Sequence, residues 1–298
     1  MHPGWDEWAL DPTWRADMTM LAPFGSRLRV AMDTRGPLCI GVDPHPSLIA
    51  AWGLPDDPTG LERFSLTVVE ALADRVAVLK PQSAFFERHG SRGIAVLERT
   101  IRAAHAAGAL VLLDAKRGDI GSTVEAYAQA YLDQAGAFAA DAITASPYLG
   151  FESLRPLYDA AAHHAGGVFV LAYTSNPEGG TVQRATGTDG RPVGTAILDA
   201  VAAENEGASP LGSVGAVVGA TVASVDYDFA KLNGPILAPG LGVQGGTGES
   251  IGRLFGAARS NVLPSTSRGI LRQGPAVTSL RDAAAQVLDA VRERLPRP

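Results

Sequence analysis

The alternation of short apolar runs with longer helical stretches constrains this chain more than any other feature. The runs are "PLCIGVD" (37–43), "AVLKPQ" (77–82), "ALVLLDAK" (109–116), "DAITASP" (141–147), "GGVFVLAYT" (166–174), "GAVVGAT" (215–221), "GPILAPG" (234–240) and a weaker "SNVLPSTS" (260–267). Between them lie stretches with helical spacing, such as "LERFSLTVVEALADR" and "GIAVLERTIRAAHAAG", the second ending in a glycine that suits a helix stop. Runs apolar on both faces and separated by helices indicate parallel strands in βα units. Eight such units in about 260 residues fit a single-domain (β/α)8 TIM barrel better than an open doubly wound sheet. The two differ in closure, which a sequence does not show. The first twenty residues carry three of the four tryptophans and little periodicity. Residues 1–22 are therefore expected to be an arm or upstream extension, with a natural start at Met18 or Met20, and 23–298 the barrel.

In a barrel of this kind chemistry gathers where strands end and βα loops begin. Asp43, Lys80, Asp114, Lys116, Ser175, Gln244 and Arg268 all fall at such ends. The stretch "LLDAKRGDIGST" (112–123) is the densest. Strand side chains alternate, so Asp114 and Lys116 project to one face, and Asp119 in the following turn can reach round to them. Lys80, on the preceding strand, neighbours them. Carboxylates this close keep both ammonium groups charged, and an ammonium so held can deliver a proton to a carbanion. Lysine usage points the same way: only three of the 25 basic residues are lysine, and Lys80 and Lys116 are two of them. Arginine stays protonated, whereas a lysine can give its proton up. Lys231, in "FAKLNG", reads as an exposed helix end. Two other readings compete for the cluster. One is a structural ion-pair network; the other is a divalent cation held by Asp43, Asp114 and Asp119, which the two lysines would crowd.

Farther on, "LAPGLGVQGGTGES" (237–250) joins a strand to a glycine-rich loop, and "STSRGI" (265–270) follows the last strand. Glycines let backbone N–H groups approach an anion, and Arg268 can grip a phosphate with two hydrogen bonds. This loop is no Walker motif, and plain turn glycines are its alternative. Asp43 in "DPHPS" could equally cap a turn, and Ser175 and Asn176 could be turn formers. The long polar stretch "PEGGTVQRATGTDGRPVG" is of the kind that tends to be functional or mobile. His163 and His164 match no metal spacing and suit a solvated helix face.

Composition excludes several classes. A hydrophobic fraction of 46% with 19% charged residues argues against disorder. The net charge is −6 and no basic tract is long enough to follow a nucleic-acid backbone. A single cysteine, Cys39, rules out an internal disulfide framework and a cysteine-based zinc site, and its apolar run suggests a buried, inert thiol. No secretory segment and no run near ~20 apolar residues is present, which leads to the expectation of a cytoplasmic protein without membrane contact.

"VLKPQSAFFE" (78–87) followed by "LLDAKRGDIGST" resembles the orotidine 5′-phosphate decarboxylase family, in the branch with KPQxAFFE and DAKRGDI-type segments. The likeness continues through "GVDPH", "SPYLG", "TSNPEG", "PGLGVQGG" and "SRGI", and so covers nearly everything after residue 36. It implies a homodimeric (β/α)8 carboxy-lyase of de novo pyrimidine biosynthesis that converts orotidine 5′-phosphate to UMP and carbon dioxide with no cofactor and no metal. By motif, Lys80, Asp114, Lys116 and Asp119 match the charged tetrad, with Lys116 as proton donor to C6. Asp119 and Thr123 would come from the partner subunit, completing a shared site. Asp43 and Thr123 match ribose contacts, Ser175 the pyrimidine contact, and Gln244 and Arg268 the phosphate grip, with 239–249 as a closing loop. The arm and the insertion after the fifth strand depart from the pattern. Two alternatives remain: a magnesium-dependent sugar-phosphate decarboxylase or synthase of the same barrel group, which places an acid where this chain has Lys80, and a non-catalytic nucleotide-binding barrel.

Overall fold

Eight parallel strands close on themselves in the computed structural model, which describes residues 21–241 and 245–294. They are β1 (Cys39–Val42), β2 (Val78–Pro81), β3 (Leu110–Arg117), β4 (Ala142–Ala145), β5 (Gly167–Tyr173), β6 (Val214–Val218), β7 (Ile236–Pro239) and β8 (Val262–Thr266). The last pairs with the first through Cys39 with Ser265 and Ile40 with Thr266, so the sheet is a barrel and the open-sheet alternative is excluded. Each expected apolar run coincides with one strand, β3 and β6 overrunning theirs by one residue.

Helices cover the outside. The segment Pro58–Leu72 starts where Asp57 accepts hydrogen bonds from the Thr59 and Gly60 N–H groups, with Pro58 at the first turn, and its buried face is Leu61, Phe64, Val68 and Leu72. The helix Gly90–Ala106 ends before Gly108, whose φ of 79° takes the left-handed turn that a side chain resists. Lys231 is exposed at the end of the short 3-10 segment Phe229–Leu232. No described helix is long and apolar enough to cross a membrane.

Strand alternation divides the core in two. Ile40, Leu79, Val111, Leu113, Ile143, Val168, Val170 and Ile236 face outward to the helices. Cys39, Val78, Leu112, Ala142, Phe169, Val217, Leu237 and Leu263 fill the interior. The floor of that interior is a helix, Phe24–Arg35, which the strand pattern does not foreshadow. It drives Phe24, Leu28 and Met32 into the inner cluster, with the Phe24 ring edge-on to Phe169 at 5.9 Å between centroids. Gly167 makes this possible, since a Cβ there would lie 2.3 Å from the Phe24 ring. Cys39 is fully buried and burial pushes its thiol up to about 12, which makes it inert.

Candidate active site

Two residues beyond four of the inner apolar positions, the same face turns polar. Val78 is followed by Lys80, Leu112 by Asp114, Ala142 by Thr144 and Leu263 by Ser265, all on the inner wall at the C-terminal end. They line a cavity of about 470 Å³ together with Asp43, His45, Gln82, Phe85, Lys116, Ser175 and Arg268 among others. The period of two that fills the barrel with hydrocarbon thus also builds its mouth.

The centre is Asp114, 9% exposed. Its Oδ2 accepts from Lys80 Nζ at 2.8 Å, and its Oδ1 from Lys116 Nζ at 2.5 Å and from the Thr144 hydroxyl at 2.9 Å. Burial would favour the neutral acid, but the two ammonium groups hold Asp114 far below the usual carboxylate range. Burial would likewise strip Lys80 of its proton; the Asp114 carboxylate, with Asp43 behind it, outweighs that and keeps Lys80 well above its ordinary value. Asp114 and Lys80 are therefore both charged across the neutral range.

Lys116 is reached by an irregularity. The β3–β4 register shifts between Leu113 and Arg117, and Lys116 takes a left-handed φ of 49° inside that break. Its amide N–H donates to Thr144 Oγ1 at 2.9 Å. Non-glycine residues held in this region cost on the order of 1–3 kcal/mol and cluster at working sites.

The other expected residues divide into three groups. Asp43 lies 8% exposed in the mouth, where its Oδ1 has no partner among the described residues and caps no helix, so the turn-capping alternative falls. A Cβ on Gly41 would press on Asp43 at 2.7 Å and Ser267 at 2.8 Å, so glycine clears this corner. Ser175 and Arg268 also line the cavity, with Arg268 opening the short helix Arg268–Leu271. Asp119 and Thr123 do not join the lining. Gly118 is pressed against the Ser146 carbonyl, where a Cβ would lie at 2.2 Å, so only glycine fits at this point of the loop. Asp119 then caps its own turn by accepting from the Ile120 N–H at 2.8 Å, and Thr123 is exposed on the following helix. Within one chain, then, Asp119 does not reach round to the lysines. Gln244 lies outside the described residues, as does most of the expected arm. The glycine loop around Gln244 is anchored on both sides: Gly246 N–H donates to Gly240 O at 3.0 Å, and Thr247 and Ser250 form a capping box for the helix Gly248–Phe255.

Several lining residues went unnoticed in the sequence. Thr144 is an ordinary strand former and carried no signal. His45 sits in the quoted "DPHPS", its ring 4.2 Å from Phe85; burial lowers its pKa, with Asp43 opposing and Arg268 adding to the depression. The long polar stretch after β5 is built rather than open. It forms the turns Pro177–Gly179 and Gly180–Gln183 and a bridge between Thr186 and Pro192, and Gln183 pins it by accepting from the Thr174 N–H at 2.9 Å.

The family model for "Orotidine 5′-phosphate decarboxylase / HUMPS family" matches residues 36–283. The chain belongs to this family. A relative named orotidine 5′-phosphate decarboxylase from Streptomyces coelicolor is 62% identical over 264 residues, covering 89% of this chain and 95% of the relative. One of the same name from Salinispora arenicola is 59% identical over 272 residues, 91% of this chain and 98% of the relative. Among solved members of the family, a Streptomyces avermitilis structure superposes with a TM-score of 0.88 at 58% identity, covering 93% of this chain and 97% of the other. Leishmania donovani OMP decarboxylase superposes at 0.72 with 30% identity, covering 93% and 100%.

Proposed function

We propose that this chain converts orotidine 5′-phosphate to UMP and carbon dioxide, with Lys116 delivering the proton to C6. The observation that carries the reading is the Lys80–Asp114–Lys116 array, two ammonium groups bonded to one buried carboxylate at the C-terminal mouth. Breaking the C6–carboxylate bond leaves an electron pair in the ring plane, where no ring carbonyl can delocalise it. Stabilisation must then be electrostatic, from a charge already in place. Lys116 is that charge; its proton passes to C6 as carbon dioxide leaves and is replaced from solvent. Asp114 holds the ammonium and sets negative charge near the substrate carboxylate, so binding energy from the distant phosphate has to offset that placement.

In this reading Arg268 and Gln244 grip the phosphate, Asp43 the ribose and Ser175 the pyrimidine. Asp119 and Thr123 serve a second subunit's site. Their outward placement supports that sharing, and so does the apolar patch beside them, where Ile120 is 61%, Tyr148 77% and Leu149 55% exposed. A homodimer covering this patch, working in the cytoplasm without metal or cofactor, completes the proposal.

The test is direct. Purified protein should bleach the absorbance of orotidine 5′-phosphate, and a chelator should leave the rate unchanged. UMP binding without turnover would sink the reading in favour of a nucleotide-binding barrel; loss of rate on chelation, restored by magnesium, would favour the metal-dependent alternative.

A further inference from the structure

Thr144 sits on β4 at 1% exposure and touches both working groups of β3. Its hydroxyl oxygen accepts from the Lys116 amide and lies 2.9 Å from Asp114 Oδ1. An amide N–H can only donate, and an ionised carboxylate can only accept. The hydroxyl proton therefore has one place to go, onto Asp114. The bond pattern is fixed by chemistry rather than by choice of rotamer.

The position of this hydroxyl matters because the β3–β4 ladder fails there. Between Leu113 and Arg117 the strands lose register, and there the amide of Lys116, the residue with the left-handed φ, donates to the Thr144 hydroxyl. An N–H left bare in this part-buried place would draw the backbone toward an ordinary strand conformation. That swing would carry the Lys116 ammonium away from Asp114. We propose that Thr144 is the positioning residue for the decarboxylation: one hydroxyl holds the strained Lys116 backbone and the Asp114 carboxylate in mutual register. The proposal rests on the reading of Lys116 as proton donor, but its geometric half stands apart from it.

Thr144→Val keeps shape and strand preference while deleting the hydroxyl; Thr144→Ser keeps the hydroxyl. The valine enzyme should lose about 10- to 100-fold in kcat, with KM and UMP affinity within about threefold of the parent. Serine should restore most of the loss. Amide hydrogen exchange supplies a readout independent of turnover: the Lys116 N–H should exchange at least about tenfold faster in the valine protein and stay protected in the serine protein. Should the valine protein not accumulate, Thr144→Ala serves for both measurements. A hydroxyl-free variant with kcat within about threefold of the parent would overturn the positioning role. So would unchanged protection at Lys116, even if the parent itself proved unable to decarboxylate orotidine 5′-phosphate. Loss in kcat that serine does not recover would also overturn it, since that pattern belongs to packing.

Discussion

Lys80 and Lys116 contact the same carboxylate but play different physical parts. The Lys80 side chain is 7% exposed and that of Lys116 is 45% exposed. Removing Lys80 leaves Asp114 Oδ2 buried without its ammonium, so Lys80→Ala should cost about 3–5 kcal/mol of stability as well as activity. Lys116→Ala should nearly abolish turnover, keep UMP binding detectable and change stability by less than about 1 kcal/mol. Lys116→Gly, equally inactive, should be about 1 kcal/mol more stable than Lys116→Ala, because glycine accepts the positive φ without strain. Urea midpoints alongside rates check all three, and a Lys116→Ala enzyme with near-parental turnover would remove Lys116 as the donor. The charged centre was legible in the sequence because side chains alternate along a strand: Lys80, two residues after Val78, and Asp114, two after Leu112, fall on the inner wall. The left-handed turn at Lys116 was not, since lysine gives no sign of it. Nor was the placement of Asp119, whose carboxylate turns back to accept from its neighbour's amide, Ile120 N–H.

At the scale of elements, the strands were readable because each is a continuous apolar run, buried on both faces. Most of their observed ends fall one or a few residues inside the runs, where ladder pairing stops and loop geometry takes over, while β3 and β6 each overrun by one residue. The floor helix Phe24–Arg35 escaped notice for a physical reason. Arg27, Arg29 and Arg35 interrupt its apolar positions, and its packing comes from the barrel above it rather than from its own pattern. Phe24 is 1% exposed and seals the inner cluster. Phe24→Ala should therefore cost about 3–5 kcal/mol in a urea titration. KM should be unchanged, because the floor and the mouth lie at opposite ends of the barrel. A midpoint equal to the parent's would show that the helix is a passenger.

For the molecule as a whole, a second polar centre lies at the end away from the mouth. Asp141, immediately before β4 and 7% exposed, is bonded to Arg27 of the floor helix, to His105 Nε2 at 2.9 Å and to the Val111 N–H at 2.8 Å. Burial alone would raise its pKa, but His105 and Arg27 together hold it below the ordinary value. A carboxylate with a depressed pKa contributes stability that is complete above its unfolded-state value, about 4, and that fades as pH falls through the folded value. The Tm deficit of Asp141→Asn should thus be largest near neutrality and narrow below about pH 4. A deficit that stays constant into acid would mean the charge is irrelevant. Assembly can be tested at the same scale. Mixing inactive Asp119→Ala and Lys116→Ala proteins should recover about a quarter of parental activity, one intact site in each hybrid dimer. No recovery despite proven subunit exchange would rule out sharing.

β4 and the residue just before it therefore reach across to β3 twice, with Asp141 at the Val111 amide before the register shift and Thr144 at the Lys116 amide within it. For the third strand to slide along the fourth, both of these side-chain bonds have to break along with the backbone ladder.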